Sequence, residues 1–176
     1  MGKRSVLPRF MRCKNSLLLL CLVLVGCSGM DAKTEAEIKN YNATLHQQFF
    51  SMEVEIDKNM VKDYRYFMTP PYRSTLELEV ENLTQGVALW STLPVSGKLR
   101  AKRDAVASAL TELREAKASM SEGRTWVKPA GITSITELED NYLNAYLDFL
   151  KTAFPKGDVE PSFTAHDYAE ALGLAN

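Results

Sequence analysis

Acid–base and metal chemistry need titratable side chains at short, repeatable spacings, and histidine is the first to look for. The chain has two, His46 and His166, neither with a His, Cys or Glu partner at the spacing of a metal site. His46 adjoins the core-facing Leu45 and reads as a boundary or surface residue, while His166 falls in the first turn of a terminal helix. A serine nucleophile is expected in a Gly-x-Ser-x-Gly turn and a phosphate in a glycine-rich loop; the sequence has neither. Glycan cleavage asks only for two carboxylates about 5 to 10 Å apart, which 22 Asp and Glu could supply. Glu77, Glu79 and Glu81, however, alternate around a helix beside apolar partners and read as a solvated face. No catalytic residue, metal site or cofactor is predicted.

Two clusters point to binding instead. Residues 62–73, Lys-Asp-Tyr-Arg-Tyr-Phe-Met-Thr-Pro-Pro-Tyr-Arg, gather four aromatics and three basic residues around a diproline. Tyr and Arg are frequent anchors of protein interfaces. Tyr64 and Phe67 fall on an apolar stripe and are expected in the core; Arg65, Tyr66, Tyr72 and Arg73 fall off it and are candidate partner contacts. Lys98, Arg100, Lys102 and Arg103 form the second cluster. Basic residues at a helix start oppose its dipole, so contact with anionic head groups or an acidic partner is weighed against a solvated face balanced by Asp104.

Helices must hold both clusters. Ile38, Tyr41, Leu45, Phe49, Met52, Ile56, Met60, Tyr64 and Phe67 follow steps of three and four with no Gly or Pro between them. This predicts one helix of about 36 residues, roughly 54 Å long, ended by Pro70-Pro71. A member that long must kink, form a stalk, or pair with another protein. Leu76, Val80, Leu83, Val87 and Trp90 predict a second helix of about 19 residues despite Gly86. The third is expected from Gly97 to Glu122, with Leu99, Val106, Leu110, Leu113 and Met120 facing the core and Gly123 as its stop.

Ser134-Ile135-Thr136-Glu137 has the form of a capping box before a fourth helix. That helix has two apolar stripes, through Tyr142 and Phe149 and through Leu143 and Leu150, which places it centrally. A short helix, about Ala165 to Leu172, can be capped by Thr164 and stapled by Phe163 against Tyr168. The expected fold is an all-α bundle of four main helices plus a short C-terminal one.

One apolar run stands apart. Leu17 to Val25 is nine residues long, about 14 Å as a helix, too short for a bilayer core of about 30 Å. Behind Lys3, Arg4, Arg9, Arg12 and Lys14 it fits a secretory signal, for which Met11 is a possible initiator. With Leu24-Val25-Gly26-Cys27 at its exit, the segment 11–28 resembles a bacterial lipoprotein signal. The resemblance implies removal of residues 1–26, acylation of Cys27, and, with Ser28 next, sorting to the outer membrane. It leaves residues 27–33 as lipidated Cys and tether and 34–176 as one helical domain.

Cleavage changes the composition that matters. It leaves 16 basic against 22 acidic residues, a formal charge of −6, and takes away Cys13 and Cys21. An acidic domain gains nothing from counterion release on nucleic acid. With Cys27 acylated no intrachain disulfide is possible, so an apolar core must supply the stability. The expected function is that of a periplasmic, outer-membrane lipoprotein whose helical domain binds an envelope protein. The alternatives are a peptidoglycan-binding or cell-wall-acting protein using Tyr72, Trp90 or Trp126, and a carrier of a lipid or other apolar ligand.

Overall fold

The computed structural model describes residues 29–173. These residues form an all-α fold in which the helices pack against one another and no strand occurs among the described residues. None of these helices is long and apolar enough to cross a membrane. Cys27 and the signal segment lie outside the described residues.

Helix α1 (Ala32–Tyr41) starts where Asp31 accepts a 2.7 Å hydrogen bond from the amide of Thr34. The polar stretch expected as a tether is therefore already helical from Ala32. Upstream, the Gly29 carbonyl accepts a 2.8 Å bond from the Ser96 amide, which docks the chain on the start of the third main helix. α1 runs through a π-helical turn (Asn42–His46) into α2 (Gln47–Lys62) without leaving helical backbone. A π turn inserts an extra residue and shifts the face that follows. Hence His46, expected at the boundary or surface, is fully buried, and Leu45 is only half-buried.

The long first helix ends earlier than its pattern predicts. Asp63 turns to extended backbone, and Tyr64–Met68 form a 3-10 turn. Tyr64 and Phe67, expected in the core, are consequently exposed. Pro70 and Pro71 open α3 (Pro70–Thr92) behind the Thr69 cap, so this helix has 23 residues rather than about 19. Proline suits the first helical turn because its missing amide hydrogen has no partner there. Gly86 is buried where α3 meets Tyr41; a β-carbon there would lie 3.4 Å from the Tyr41 ring.

α4 (Lys98–Ser121) ends in a Schellman turn, with the amides of Gly123 and Arg124 bonded to the carbonyls of Met120 and Ser119 at 3.0 and 2.8 Å. In α5 (Ile135–Ala153) Ser134 caps the Glu137 amide at 3.2 Å, but the Glu137 carboxylate reaches the Thr133 amide at 2.6 Å, one residue before the position a capping box uses. α6 (Ala165–Ala171) does have the full box, Thr164 with Asp167. α4 packs most extensively, between α3 and α5. The core centres on Trp90, whose ring meets Tyr41, Tyr146 and Phe149 edge-on at 4.8 to 5.8 Å.

Candidate functional site

The corner between α2 and α3 is where the first binding cluster lies. Asp63 accepts from the Arg65 amide at 2.9 Å and holds its guanidinium at 3.1 and 3.2 Å, so Arg65 is engaged in the turn itself. Tyr66 sits edge-on to Tyr72, 5.8 Å between centroids. Around them Val61 is 85%, Tyr64 73%, Phe67 50% and Met68 74% exposed. Exposed apolar residues are ordinary singly; four within eight positions form a patch. Beside it runs a groove of about 370 Å³ lined by Phe67, Met68, Pro70, Tyr72 and Arg73.

A second cavity of about 370 Å³ opens on the other side of Tyr72 and Met120. Its walls are apolar, from Phe50, Ile56 and Met60 on α2, Met120 on α4, and Ile135 and Leu143 on α5. Its floor is ionic. The Lys117 ammonium bonds Glu53 and lies 3.1 Å from Glu139 and 3.4 Å from Glu79. Lys117, Glu53 and Glu79 are all buried. Glu79, expected on a solvated face, is fully so, and neither of its oxygens has a well-aligned hydrogen-bond donor. Asp57 at the rim accepts from Tyr168 of α6.

Electrostatics set the state of this cluster. Burial alone would drive Lys117 toward neutrality, but Glu53, Glu79 and Glu139 together hold its pKa above the ordinary lysine value. Burial pushes Glu53 well above the usual carboxylate range and Lys117 pulls it only partly back; Glu79 is raised for the same reason. Asp57 is raised by burial and by the charge of Glu139. Three carboxylates around one ammonium leave surplus negative charge that protons must relieve.

A different polar network lies behind the Phe49 and Phe50 rings. The His46 Nε2 atom is 3.3 Å from the Phe163 carbonyl, its Nδ1 2.7 Å from the Tyr142 hydroxyl, and that hydroxyl 2.7 Å from Tyr41. A carbonyl only accepts, so neutral His46 donates through Nε2 and accepts from Tyr142 at Nδ1; Tyr142 in turn accepts from Tyr41. Burial lowers the His46 pKa to about 4, with the Phe163 carbonyl opposing. Asn42 accepts from Tyr146 at 2.9 Å and from the Ser162 amide at 3.0 Å, and donates to the Glu160 carbonyl at 2.7 Å. The π turn thereby latches the 160–163 loop, which places α6 and Tyr168 against the cleft.

The second basic cluster is divided. Lys102 pairs with Asp148, and Arg103 donates to the Leu93 carbonyl at 2.9 Å and to Asp104 at 2.6 Å, so both tie α4 to its neighbours. Lys98 and Arg100 are exposed at the end of the fold where Gly29 docks. Trp90, considered for sugar stacking, is fully buried and unavailable; His166 is exposed and Trp126 half-buried.

Sequence reasoning missed Glu53, Glu79, Lys117 and Glu139. The signal was a charged residue on the apolar stripe of each of four helices: Glu53 follows Phe49 by four, Glu79 follows Leu76 by three, Lys117 follows Leu113 by four, and Glu139 precedes Tyr142 by three. Among the described residues no His, Cys, Asp and Glu group is placed to hold a metal ion, and Lys117 fills the middle of the glutamates. The chain matches no family model, no curated protein and no solved structure.

Proposed function

We propose that this chain is an outer-membrane lipoprotein, acylated at Cys27, whose domain is a bundle of four main helices and a short terminal one that binds an envelope protein. The bundle count takes residues 32–62 as a single long helix. The observation that carries the reading is the exposed apolar corner of Val61, Tyr64, Phe67 and Met68 beside a groove. Its position selects the kind of partner. Gly29 is at one end of the 31-residue run α1–π–α2 and the corner at the other, about 46 Å away along the helix.

Cys27 is two residues before Gly29, within about 7 Å of extended chain. A domain anchored there turns Lys98 and Arg100 toward anionic head groups and the apolar corner away from its own membrane, toward a protein with apolar side chains to offer. Of the aromatics weighed for cell-wall binding, Trp90 is in the core and cannot stack on a sugar.

A photo-crosslinking amino acid at Phe67 tests the docking surface in cells, with a second copy at the exposed Glu81 as control. A discrete adduct from position 67, lost when Met68 and Tyr64 are changed to Ser, is expected. Adducts equal to those from position 81 overturn the surface. Lipid labelling separates the anchor from the surface: Cys27→Ser abolishes it and leaves the precursor uncut. A precursor still processed after residue 26 overturns the anchor alone.

A further inference from the structure

The cleft over Lys117 lies outside the docking corner and shares with its groove only Tyr72 and Met120. A carrier of neutral lipid needs an apolar floor, and this one has four carboxylates in its lining: Glu53, Asp57, Glu139 and Asp140. An anionic ligand would need a donor. The one cation in the lining is Lys117, whose ammonium bonds Glu53 and lies within 3.4 Å of Glu79 and Glu139, so its single charge is already outnumbered by carboxylates.

Acceptor capacity is what remains. Each carboxylate offers about four lone-pair sites, and Lys117 uses a fraction of those on Glu53 and Glu139. Apolar walls of Phe50, Ile56, Met60, Met120 and Leu143 surround them. The volume of about 370 Å³ falls in the range of small-ligand sites. We infer that the cleft binds a ligand carrying a primary ammonium or guanidinium group on an apolar stem, its cation at Glu53 and Glu139 and its stem between Met60 and Met120. The same chemistry is present in a free alkylamine and in a Lys or Arg side chain of a protein.

Binding is coupled to protons. Titratable groups line the cleft from every wall, Glu53 and Asp57 on α2, Tyr72 on α3, Lys117 on α4, Glu139 and Asp140 on α5, and Tyr168 on α6, with Glu79 of α3 behind them, 3.4 Å from Lys117. Burial raises Glu53, Glu79 and Asp57, so the empty cleft retains protons that an incoming cation displaces. Affinity for the cation therefore rises with pH, by up to about tenfold per pH unit for each proton released.

The experiment uses the full chain with labelled methionine methyl groups, and n-hexylammonium, hexanoate and hexanol as probes. Saturable shifts at Met60 and Met120 with millimolar hexylammonium, absent at Met52 and with hexanoate, are expected. Glu139→Gln should weaken hexylammonium about tenfold, with helical circular dichroism retained; if that variant fails to fold, Asp140→Asn at the rim carries the same expectation. A Leu-Lys-Leu peptide identifies the source: tighter than hexylammonium points to a protein side chain, weaker to a free amine. Equal response to hexanoate, no response to hexylammonium, or pH-independent binding overturns the inference. None of these outcomes depends on the anchor at Cys27 or on the corner at Phe67.

Discussion

The His46 network and the Lys117 network are separated by one pair of rings. Phe50 stacks over Tyr142 at 6.3 Å and over Phe163 at 5.1 Å while also lining the cleft, and Phe49 lies 6.2 Å from Tyr142 and 5.9 Å from the Lys117 ammonium. On one side every group is neutral: burial keeps His46 unprotonated and raises the pKa of Tyr41, Tyr142 and Tyr146. Each donor of the Tyr41–Tyr142–His46 chain has one acceptor, and the chain ends on the Phe163 carbonyl. On the other side the groups are ionic, one cation faces three carboxylates, and the surplus opens onto a cleft. A neutral network can be satisfied by counting donors and acceptors, but a charged one must also balance charge. The neutral side therefore serves as a latch for the C-terminal segment, and the charged side has capacity left for a ligand.

Breaking the charged side should cost most. Lys117→Met leaves three carboxylates clustered without their cation, and a loss of about 3 to 5 kcal/mol in urea unfolding at neutral pH is expected. Stability should return as the pH is lowered and the glutamates take up protons. A loss that persists unchanged in acid would show that packing, not charge, is what Lys117 supplies. Tyr142→Phe breaks the neutral side by leaving His46 Nδ1 without its donor and the Tyr41 hydroxyl without its acceptor, and about 1 to 3 kcal/mol is expected at all pH values where His46 is neutral.

The pH dependence should separate the two sides by sign. His46 binds its proton more weakly folded, at about 4, than unfolded, near 6.5. Between those values the unfolded chain holds more protons, so this group's contribution falls as pH falls, by at most about 1.4 kcal/mol per unit. Glu53 and Glu79 have raised folded pKa values, so their contribution is complete below the unfolded glutamate value and is lost as pH rises. Unfolding of wild type and His46→Gln from pH 4 to 9 checks both: the variant should lose the acid limb and keep the alkaline one. Glu79→Gln should keep the acid limb and shrink the alkaline one to the part that Glu53 supplies, and its change at neutral pH should be under about 1 kcal/mol because it removes a surplus charge. Smallest of all, Phe67→Ser at the corner should leave stability within about 0.5 kcal/mol, as measured by the same unfolding curves. A larger loss would make Phe67 a structural residue and weaken the case for the corner as a docking surface.

Much of this arrangement is legible in local sequence. Asp31, Thr69, Ser134 and Thr164 start helices because their side-chain oxygens accept from free amides, and Gly123 ends one because it adopts a left-handed φ of 66°. Apolar periodicity identified Leu99, Val106, Leu110, Leu113, Tyr142 and Phe149 as core, and all are buried. It misassigned Leu45, Tyr64 and Phe67 because a step of three or four presumes an unbroken α-helix, and the π turn and the stop at Lys62 change the phase; Met120, on the stripe of α4, is exposed near the helix end, where it lines the cleft. The candidate contacts near the diproline do share one corner, but Arg65 is paired within it, and Lys102 and Arg103 serve packing.

The sequence by itself determined that the fold is helical, where most helices begin and end, and which faces are apolar, since these follow from a few neighbouring residues. Only the tertiary structure decided that Glu53, Glu79, Lys117 and Glu139 meet, and that His46 reaches Tyr142 and Phe163. Each of those residues is a single polar position on its own helix, and a lone charge on an apolar stripe has no stated partner. What it can bind or protonate depends on which other helices dock against it, because burial and the neighbouring charges, not the residue type alone, set its energy.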